Sequence, residues 1–523
     1  MSEIQTDMEG LLDDDYDFEA VLKALEEDPE WPKPQWLVDL VKDLQHADAW
    51  MASVLDWWED WREKPPPEGG SETEGFMGLI LFTLNHPDDV ARYVKFPKVI
   101  KELLAALLKT IGSLLPNSKI KPKQFHEVFV KKVNEGTATA YGGEIYGFKT
   151  YENADVGWLV SLFNGDFVRR ARHPLSWNTL VPEADFGNRP SHVILPDKCR
   201  VGIIGDWGVG DVTRRDHKKP GLKVIESIVS KEIDFLIHLG DTYYSGCPSS
   251  NDMKIPKFWN AGEEAIRLLA HWPNANVIKP SHSFTLNSNH EMYCGGLGYF
   301  KALEKDLEFG GKTFKSPFKH QKGTSYFLLE NEQVQIFGLD CAYYTQDWLA
   351  DGARFEGDDK DEKTQTKWLR NHFNNSKTTI ALTHHNPVKT GGKPRALLGK
   401  LKAALGGKLP SYWYFGHAHN GIVYEDAVMD GCKGRCIGHS GVPMGFPRNL
   451  VRHADVKDVE PGRIPDKYTP MPGIKWVEGD RATDGFEIVK SGYAVLDING
   501  AHVAEEVYDE DGILKWSSES GGR

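Results

Sequence analysis

The sequence predicts an α/β domain of two sheets flanked by helices, preceded by a mainly α-helical N-terminal domain. Three observations predict it. Val201-Gly202-Ile203-Ile204-Gly205, a helical run from Leu222 to Ser230 and Phe235-Leu236-Ile237-His238-Leu239 form a βαβ unit. The tail from Gly485 through Tyr493-Ala494-Val495-Leu496-Asp497-Ile498 to Tyr508 alternates as antiparallel strands do. Between Pro34 and Leu115 the apolar residues recur at helical spacing. The expected organisation is therefore a helical region at 1–195 and a layered domain at 196–523, with a surface loop at 450–482 and C-terminal strands at 485–510.

Along the chain, residues 1–30 read as an acidic tail, with twelve acids and one Lys. From Pro34 the pattern turns helical, with Leu37, Leu40, Val41, Leu44, Met51, Leu55 and Trp58 at three- and four-residue steps. Lys64-Pro65-Pro66-Pro67-Glu68-Gly69-Gly70-Ser71 is a linker or long turn. A second helical group runs from Val99 to Leu115 and is stopped by Pro116. Tyr141-Gly142-Gly143-Glu144-Ile145-Tyr146-Gly147-Phe148 has the pattern of a glycine-interrupted hairpin. Arg169-Arg170-Ala171-Arg172-His173 reads as a solvated basic face, with a phosphate-facing lid as the alternative. Beyond the βαβ unit, strands are expected at Ser325–Glu330, Gln333–Leu339, Thr378–Thr383 and Trp413–Phe415. The prolines between 450 and 482 suit a loop.

Composition narrows the function. The chain has 523 residues, 40% hydrophobic and 26% charged, with a net charge of −14. That balance suits a soluble globular protein and counts against long nucleic acid or an anionic membrane as partner. The longest apolar stretch, Phe76 to Leu84, is too short to span a bilayer, and the acidic N-terminus is the reverse of a secretory leader. Cysteines at 199, 247, 294, 341, 432 and 436 do not make a disulfide framework, and Cys432 with Cys436 reads as a pair of structural thiols rather than half a zinc site. A cytoplasmic location is expected. An acidic protein acting on phosphate esters needs local positive charge, which bound metal supplies.

Five segments carry groups that ligate metals, each just after an expected strand or in a loop. They are Gly205-Asp206-Trp207-Gly208, Gly240-Asp241-Thr242-Tyr243-Tyr244, Asn287-Ser288-Asn289-His290-Glu291, Thr383-His384-His385-Asn386-Pro387 and Gly416-His417-Ala418-His419. A carboxylate buried at a strand's carboxyl end, as Asp241 is expected to be, needs neutralising, and metal coordination does this. Mixed oxygen and nitrogen donors suit zinc, iron or manganese better than calcium or magnesium. Strand alternation points His384 and His385 to opposite sides; a strand ending at Thr383 favours His384, while the His385-Asn386-Pro387 spacing keeps His385 open as a ligand or substrate contact. Trp207 and Tyr243 are expected to pack rather than to act.

Taken together and in this order, the segments resemble the calcineurin-like metallophosphoesterase superfamily, and especially its purple-acid-phosphatase branch, over about residues 196–510. The resemblance implies a two-sheet metallophosphoesterase sandwich holding two metal ions. Asp206, Tyr244 and His419 would hold one, taken as Fe(III). Asn289, His384 and His417 would hold the second, taken as Zn, Mn or Fe(II), with Asp241 bridging. Most of the superfamily has Asp-x-His in the first segment; Gly208 stands here, and Tyr244 is the replacement the purple branch uses, a phenolate favouring ferric iron. Ser288 stands where Gly usually precedes the Asn. His290 would face the substrate and donate a hydrogen bond or a proton. The implied activity is hydrolysis of phosphoric esters by a metal-activated hydroxide. Phosphomonoesterase is favoured over a phosphodiesterase acting on cyclic nucleotides or nucleic-acid ends. Two non-catalytic roles compete with it: a binding module whose site has decayed, and a helical region at 1–195 that docks a partner or oligomerises.

Overall fold

A computed structural model describes residues 139–141, 144–146, 191–214, 216–247, 263–292, 296–343, 353–355, 365–457, 459, 463–482, 488–519 and 521–522. The expected N-terminal helices, the linker at 64–71 and the basic cluster at 169–173 lie outside the described residues. The glycine-interrupted hairpin is present: β1 (Thr139–Tyr141) pairs antiparallel with β2 (Glu144–Tyr146).

Two sheets dominate. The first contains β3 (Ser191–Ile194), β9 (Phe327–Glu330), β10 (Val334–Gly338), β11 (Thr378–Thr383), β12 (Tyr412–Phe415), β13 (Gly421–Tyr424), β14 (Lys433–Ile437) and β15 (Ile474–Val477), in the order β15-β13-β14-β12-β11-β10-β9-β3. The second contains β4 (Lys198–Ile204), β5 (Phe235–His238), β6 (Ser283–Thr285), β16 (Gly492–Asn499), β17 (His502–Asp509), β18 (Leu514–Ser517) and β19 (Gly521–Gly522), in the order β19-β18-β17-β16-β4-β5-β6. A small ribbon, β7 (Leu307–Phe309) with β8 (Lys312–Phe314), stands apart. The longer helices are α1 (Pro220–Val229), α2 (Glu264–His271), α4 (Leu297–Glu304), α5 (Gln365–His372) and α6 (Ala396–Ala404); α3 (Asn289–Met292) and α7 (His453–Val456) are single turns.

Period-two alternation explains the layers. Val201 and Ile203 of β4, with Phe235 and Ile237 of β5, belong to one buried apolar cluster with Leu329, Ile336, Ile380 and Leu382 of the other sheet. Ile204 and Leu236, one residue out of phase, join a second cluster with Val224 and Ile228 of α1. The β5 run is thus buried between a sheet and helices. Helix α1 starts at Pro220, which needs no N–H there, and buries Val224, Ile225 and Ile228. Gly202 lets it approach: a Cβ there would stand 2.6 Å from Ile228 Cδ1. Each such aliphatic side chain contributes about 1.5–3 kcal/mol.

Between the layers lies one buried ion pair. Arg435 of β14 donates Nε to Glu505 Oε2 at 2.7 Å and Nη2 to Glu505 Oε1 at 2.9 Å, and the Tyr414 hydroxyl donates to the same carboxylate at 2.5 Å. Arg435 and Glu505 are each 2% exposed.

Two boundaries differ from expectation. The chain enters the sandwich before residue 196, because Ser191–Ile194 pairs parallel with β9. It is a short edge strand, too brief for its alternation to stand out. Residues 450–482 are not all surface loop: Ile474–Val477 adds an antiparallel edge strand to β13 and buries Ile474, Trp476 and Val477. The prolines lie before it, so the loop reading holds only for the earlier part. The C-terminal strands are as expected, β16 running antiparallel to both β4 and β17.

Glu478, just after β15, is 2% exposed. Its Oε1 accepts the amides of Gly479 and Asp480 at 2.8 and 2.7 Å, while Oε2 is buried with no hydrogen-bond partner. Burial, with Asp480's charge adding to it against the Asp480 amide, pushes its carboxyl from 4.5 up to about 8. Between those pH values the folded chain keeps a proton that the unfolded chain has released, so this group's contribution falls as pH rises, by at most about 1.4 kcal/mol per pH unit. Glu478→Gln is expected to flatten stability between pH 5 and 8, gaining most at pH 8, in urea unfolding of both proteins. Identical pH slopes would mean that Glu478 is ionised in the fold.

Candidate metal centre

Each candidate segment follows a strand of the sandwich. Asp206 follows β4 and Asp241 follows β5, while Asn289 opens α3 after β6; these three strands run parallel. His384 follows β11, and His417 and His419 follow β12, which runs parallel to β11. The groups therefore gather where the carboxyl ends of both sheets meet, the usual position for a site in an open α/β sheet. Asp206, Asp241 and His417 all have left-handed backbones, with φ of 54°, 73° and 63°. Side chains rarely adopt that region, at a cost of about 1–3 kcal/mol each, and such residues cluster at functional sites.

The side chains converge. His384 Nε2 lies 3.0 Å from Asn289 Oδ1 and 3.1 Å from Asp241 Oδ1. His417 Nδ1 lies 3.2 Å from Asn289 Oδ1, and its amide donates to Asp206 Oδ2 at 2.9 Å. His419 Nε2 is 3.3 Å from Asp206 Oδ1 and 4.0 Å from Asp241 Oδ2. Asp206, Asp241, Asn289 and His384 are almost completely buried.

Lone pairs face one another here. His384 Nδ1 donates to the Leu239 carbonyl at 3.0 Å, which leaves Nε2 of the neutral ring without a proton, opposite two oxygens that only accept. Asp206 Oδ1 and Asp241 Oδ1 are buried and receive no protein hydrogen bond. A cation between such donors satisfies all of them, so the residues fit a metal. The charge balance of the protein alone agrees. Burial and the neighbouring Asp241 raise the Asp206 carboxyl. Burial opposes ionisation of Asp241, yet His290 and His384 hold it well below the usual range. Burial opposes protonation of His384, yet Asp241 and Asp206 raise it to about 9, so in the metal-free chain a proton on Nε2 stands where the cation would bind. The anionic pocket draws in positive charge.

His290 is tied to the loop after β5. Its Nδ1 donates to the Tyr244 carbonyl at 2.6 Å, and Nε2 lies 3.9 Å from Asp241 Oδ2. Glu291 accepts the amides of Thr242 and Asp241 at 3.0 and 3.3 Å, together with the Ser288 hydroxyl, and so fixes the loop that carries Asp241. Glu264 does the same further on, accepting the amides of Tyr244 and Cys247 at 3.3 and 3.1 Å.

The strand ends at Thr383, so its alternation does not extend to the two histidines. The His384 and His385 rings are centred 5.0 Å apart and both flank His417, at 5.2 and 4.7 Å. Ligand atoms of His384, His385 and His417 lie within 4.8 Å of one another, as do those of Asp206, Asp241 and His384. His385 puts Nδ1 3.4 Å from Cys341 Sγ, and its buried Nε2 has no hydrogen-bond partner.

The two tyrosines after Thr242 have different surroundings. Tyr243, expected only to pack, puts its hydroxyl 2.6 Å from His419 Nε2 and stacks on His290 with ring centroids 3.8 Å apart. Tyr244 is fully buried and is anchored through its amide and carbonyl. Trp207 packs as expected, donating Nε1 to the Gly221 carbonyl at 2.8 Å. Sequence reasoning also missed Arg395, at the start of α6, whose positive charge acts on both His385 and His417. Its amide donates to the Pro387 carbonyl at 2.8 Å, which closes a short turn back onto the His385 segment. No motif marks it.

Cys432 and Cys436 are free buried thiols, and burial raises Cys432 to about 12. Among the described residues, no helix is long and apolar enough to cross a membrane.

Residues 199–421 match the family model described as calcineurin-like phosphoesterase. No curated protein matches the chain. Among solved structures, one described as GAP50, the anchor in the inner membrane complex of Plasmodium, is 10% identical, with a TM-score of 0.35 over 62% of this chain and 89% of that one. A conserved uncharacterized protein, a predicted phosphoesterase from Streptococcus pneumoniae TIGR4, is 9% identical, with a TM-score of 0.22 over 61% of this chain and 92% of that one. Neither likeness bears on this chain's chemistry or partners.

Proposed function

We propose, from the calcineurin-like phosphoesterase domain that occupies residues 199–421, that the protein is a binuclear-metal-dependent hydrolase of phosphoric esters, with phosphomonoesters as the favoured substrates. One observation carries the reading: lone pairs of two carboxylates, an amide and imidazoles face one another at 3.0–3.3 Å where the two sheets meet. Asp206 and His419 would hold the first metal, with a tyrosine beside them, and Fe(III) is the ion such a phenolate would favour. Asn289, His384 and His417 would hold the second, as Zn, Mn or Fe(II), and Asp241 would reach both. When bound, the pair supplies an activated water and neutralises phosphoryl oxygens.

The chain's own residues do the rest. His290 is held in one orientation by its Nδ1–H bond to Tyr244, so Nε2 faces the site. As an imidazolium His290 carries a second proton there, hands it to the departing alkoxide or phenoxide and is left as the neutral ring. His385 Nε2 is buried without a hydrogen-bond partner and the positive charge of Arg395 acts on its ring, so these two would supply contacts to phosphoryl oxygens on the second-metal side. A protein cation in addition to two metal ions suits a dianionic monoester better than a monoanionic diester. The free buried thiols support a cytoplasmic setting. Residues 1–195 remain a candidate for docking a partner or a second copy of the chain.

The test uses full-length protein, stripped by a chelator and reloaded with Fe, Mn or Zn, on a chromogenic monoester and a chromogenic diester. Metal-dependent hydrolysis is expected with both, with the monoester at least about 10-fold ahead in kcat/KM, about 1.4 kcal/mol. A faster diester would overturn the monoester preference. Metal binding without turnover on either ester would favour the binding module.

A further inference from the structure

The loss of an imidazole at position 208 raises the question of which side chain takes its place, and spacing alone points to Tyr244. The geometry points to Tyr243 as the phenolate ligand of the first metal, in place of Tyr244; this inference rests on the phosphoesterase reading above. Three ligand atoms gather around His419 Nε2: the Tyr243 hydroxyl at 2.6 Å, Asp206 Oδ1 at 3.3 Å and Asp241 Oδ2 at 4.0 Å. In the metal-free chain the 2.6 Å contact is a hydrogen bond; two donors bound to one ion at about 2.0–2.1 Å each would lie roughly 3 Å apart, so a shared ion would replace that bond with little movement.

Position 208 supplies an independent observation. A Cβ built on Gly208 would lie 3.9 Å from the Cβ of Tyr243. A side chain at 208 would meet Val212 and Val442 first, at 3.3 and 3.6 Å, with Tyr243 as its next neighbour, so Tyr243 belongs to the surroundings of that position. Gly208 also has a φ of +67°, a backbone that L side chains rarely adopt. The Tyr243 ring is 6% exposed and stacks on His290, which fixes its direction. On binding, the phenol gives its proton to solvent and its oxygen becomes an anionic donor. Tyr244 instead positions its neighbours through its backbone. Its carbonyl accepts the His290 Nδ1 proton, and its amide is held by Glu264.

The test reads colour and metal content rather than turnover. Full-length wild type, Tyr243→Phe and Tyr244→Phe are stripped, reloaded with ferric iron and zinc, and measured by visible absorption, resonance Raman scattering and elemental analysis. Wild type and Tyr244→Phe are expected to show a phenolate-to-iron charge-transfer band. Tyr243→Phe is expected to lose it and to bind iron at least about 10-fold more weakly. Retained zinc at Asn289, His384 and His417 shows that this variant has folded. A band lost in Tyr244→Phe and kept in Tyr243→Phe would overturn the inference, as would iron-loaded wild type with no band. Wild type that takes up neither metal would instead defeat the phosphoesterase reading itself.

Discussion

Asp241→Asn is expected to lower kcat/KM for a phosphoric ester by at least about 10³-fold, about 4 kcal/mol of transition-state stabilisation, and to reduce metal content. Asp241 reaches side chains of both halves of the site, with Oδ1 3.1 Å from His384 Nε2 and Oδ2 4.0 Å from His419 Nε2. An amide keeps the size but removes the charge, and its NH2 group presents protons to nitrogens and oxygens that are there to donate lone pairs. The backbone should persist, because Glu291 holds the amides of Asp241 and Thr242 whatever side chain stands at 241. Steady-state kinetics and elemental analysis of the same preparation check this. A variant keeping both metals and a tenth of the activity would remove Asp241 from its bridging role.

Arg435→Ala is expected to cost about 3–5 kcal/mol of folding free energy, because it strands the Glu505 carboxylate between the sheets. Both bonds of the fork, at 2.7 and 2.9 Å, are lost, and only the Tyr414 hydroxyl remains as a side-chain donor to Glu505. The double variant Arg435→Met, Glu505→Leu is expected to be close to wild type or more stable, since no charge is left buried. Urea unfolding of metal-free proteins measures both. If the single variant loses less than about 1 kcal/mol, water must reach Glu505 and the pair is not dry.

Much of the sandwich was legible because its central strands announce themselves. Phe235–His238 and Thr378–Thr383 are buried on both faces and read as apolar runs, and the candidate ligands Asp241 and His384 follow them within a few residues. Edge and irregular strands were not legible. Ser283–Thr285 is three residues long, and β14 carries Gly434 and Arg435 within its five residues. Arg435 suits a buried strand only because Glu505, seventy residues later, neutralises it. That pairing is a tertiary fact with no local trace. The same limit applies to Tyr243, whose approach to His419 depends on how the loop after β5 turns. Arg395 was invisible because a turn, not a motif, returns it to the site.

The donors are divided between layers. Asp206, Asp241 and Asn289 belong to the seven-stranded sheet, and His384, His417 and His419 to the eight-stranded one. A cation seated among them fastens one layer to the other, so loading and folding share a single equilibrium. At a hundredfold excess over its dissociation constant, each ion adds about 2.7 kcal/mol against unfolding. Substitutions deep in the seam, far from any donor atom, should then present at the bench as weak metal retention.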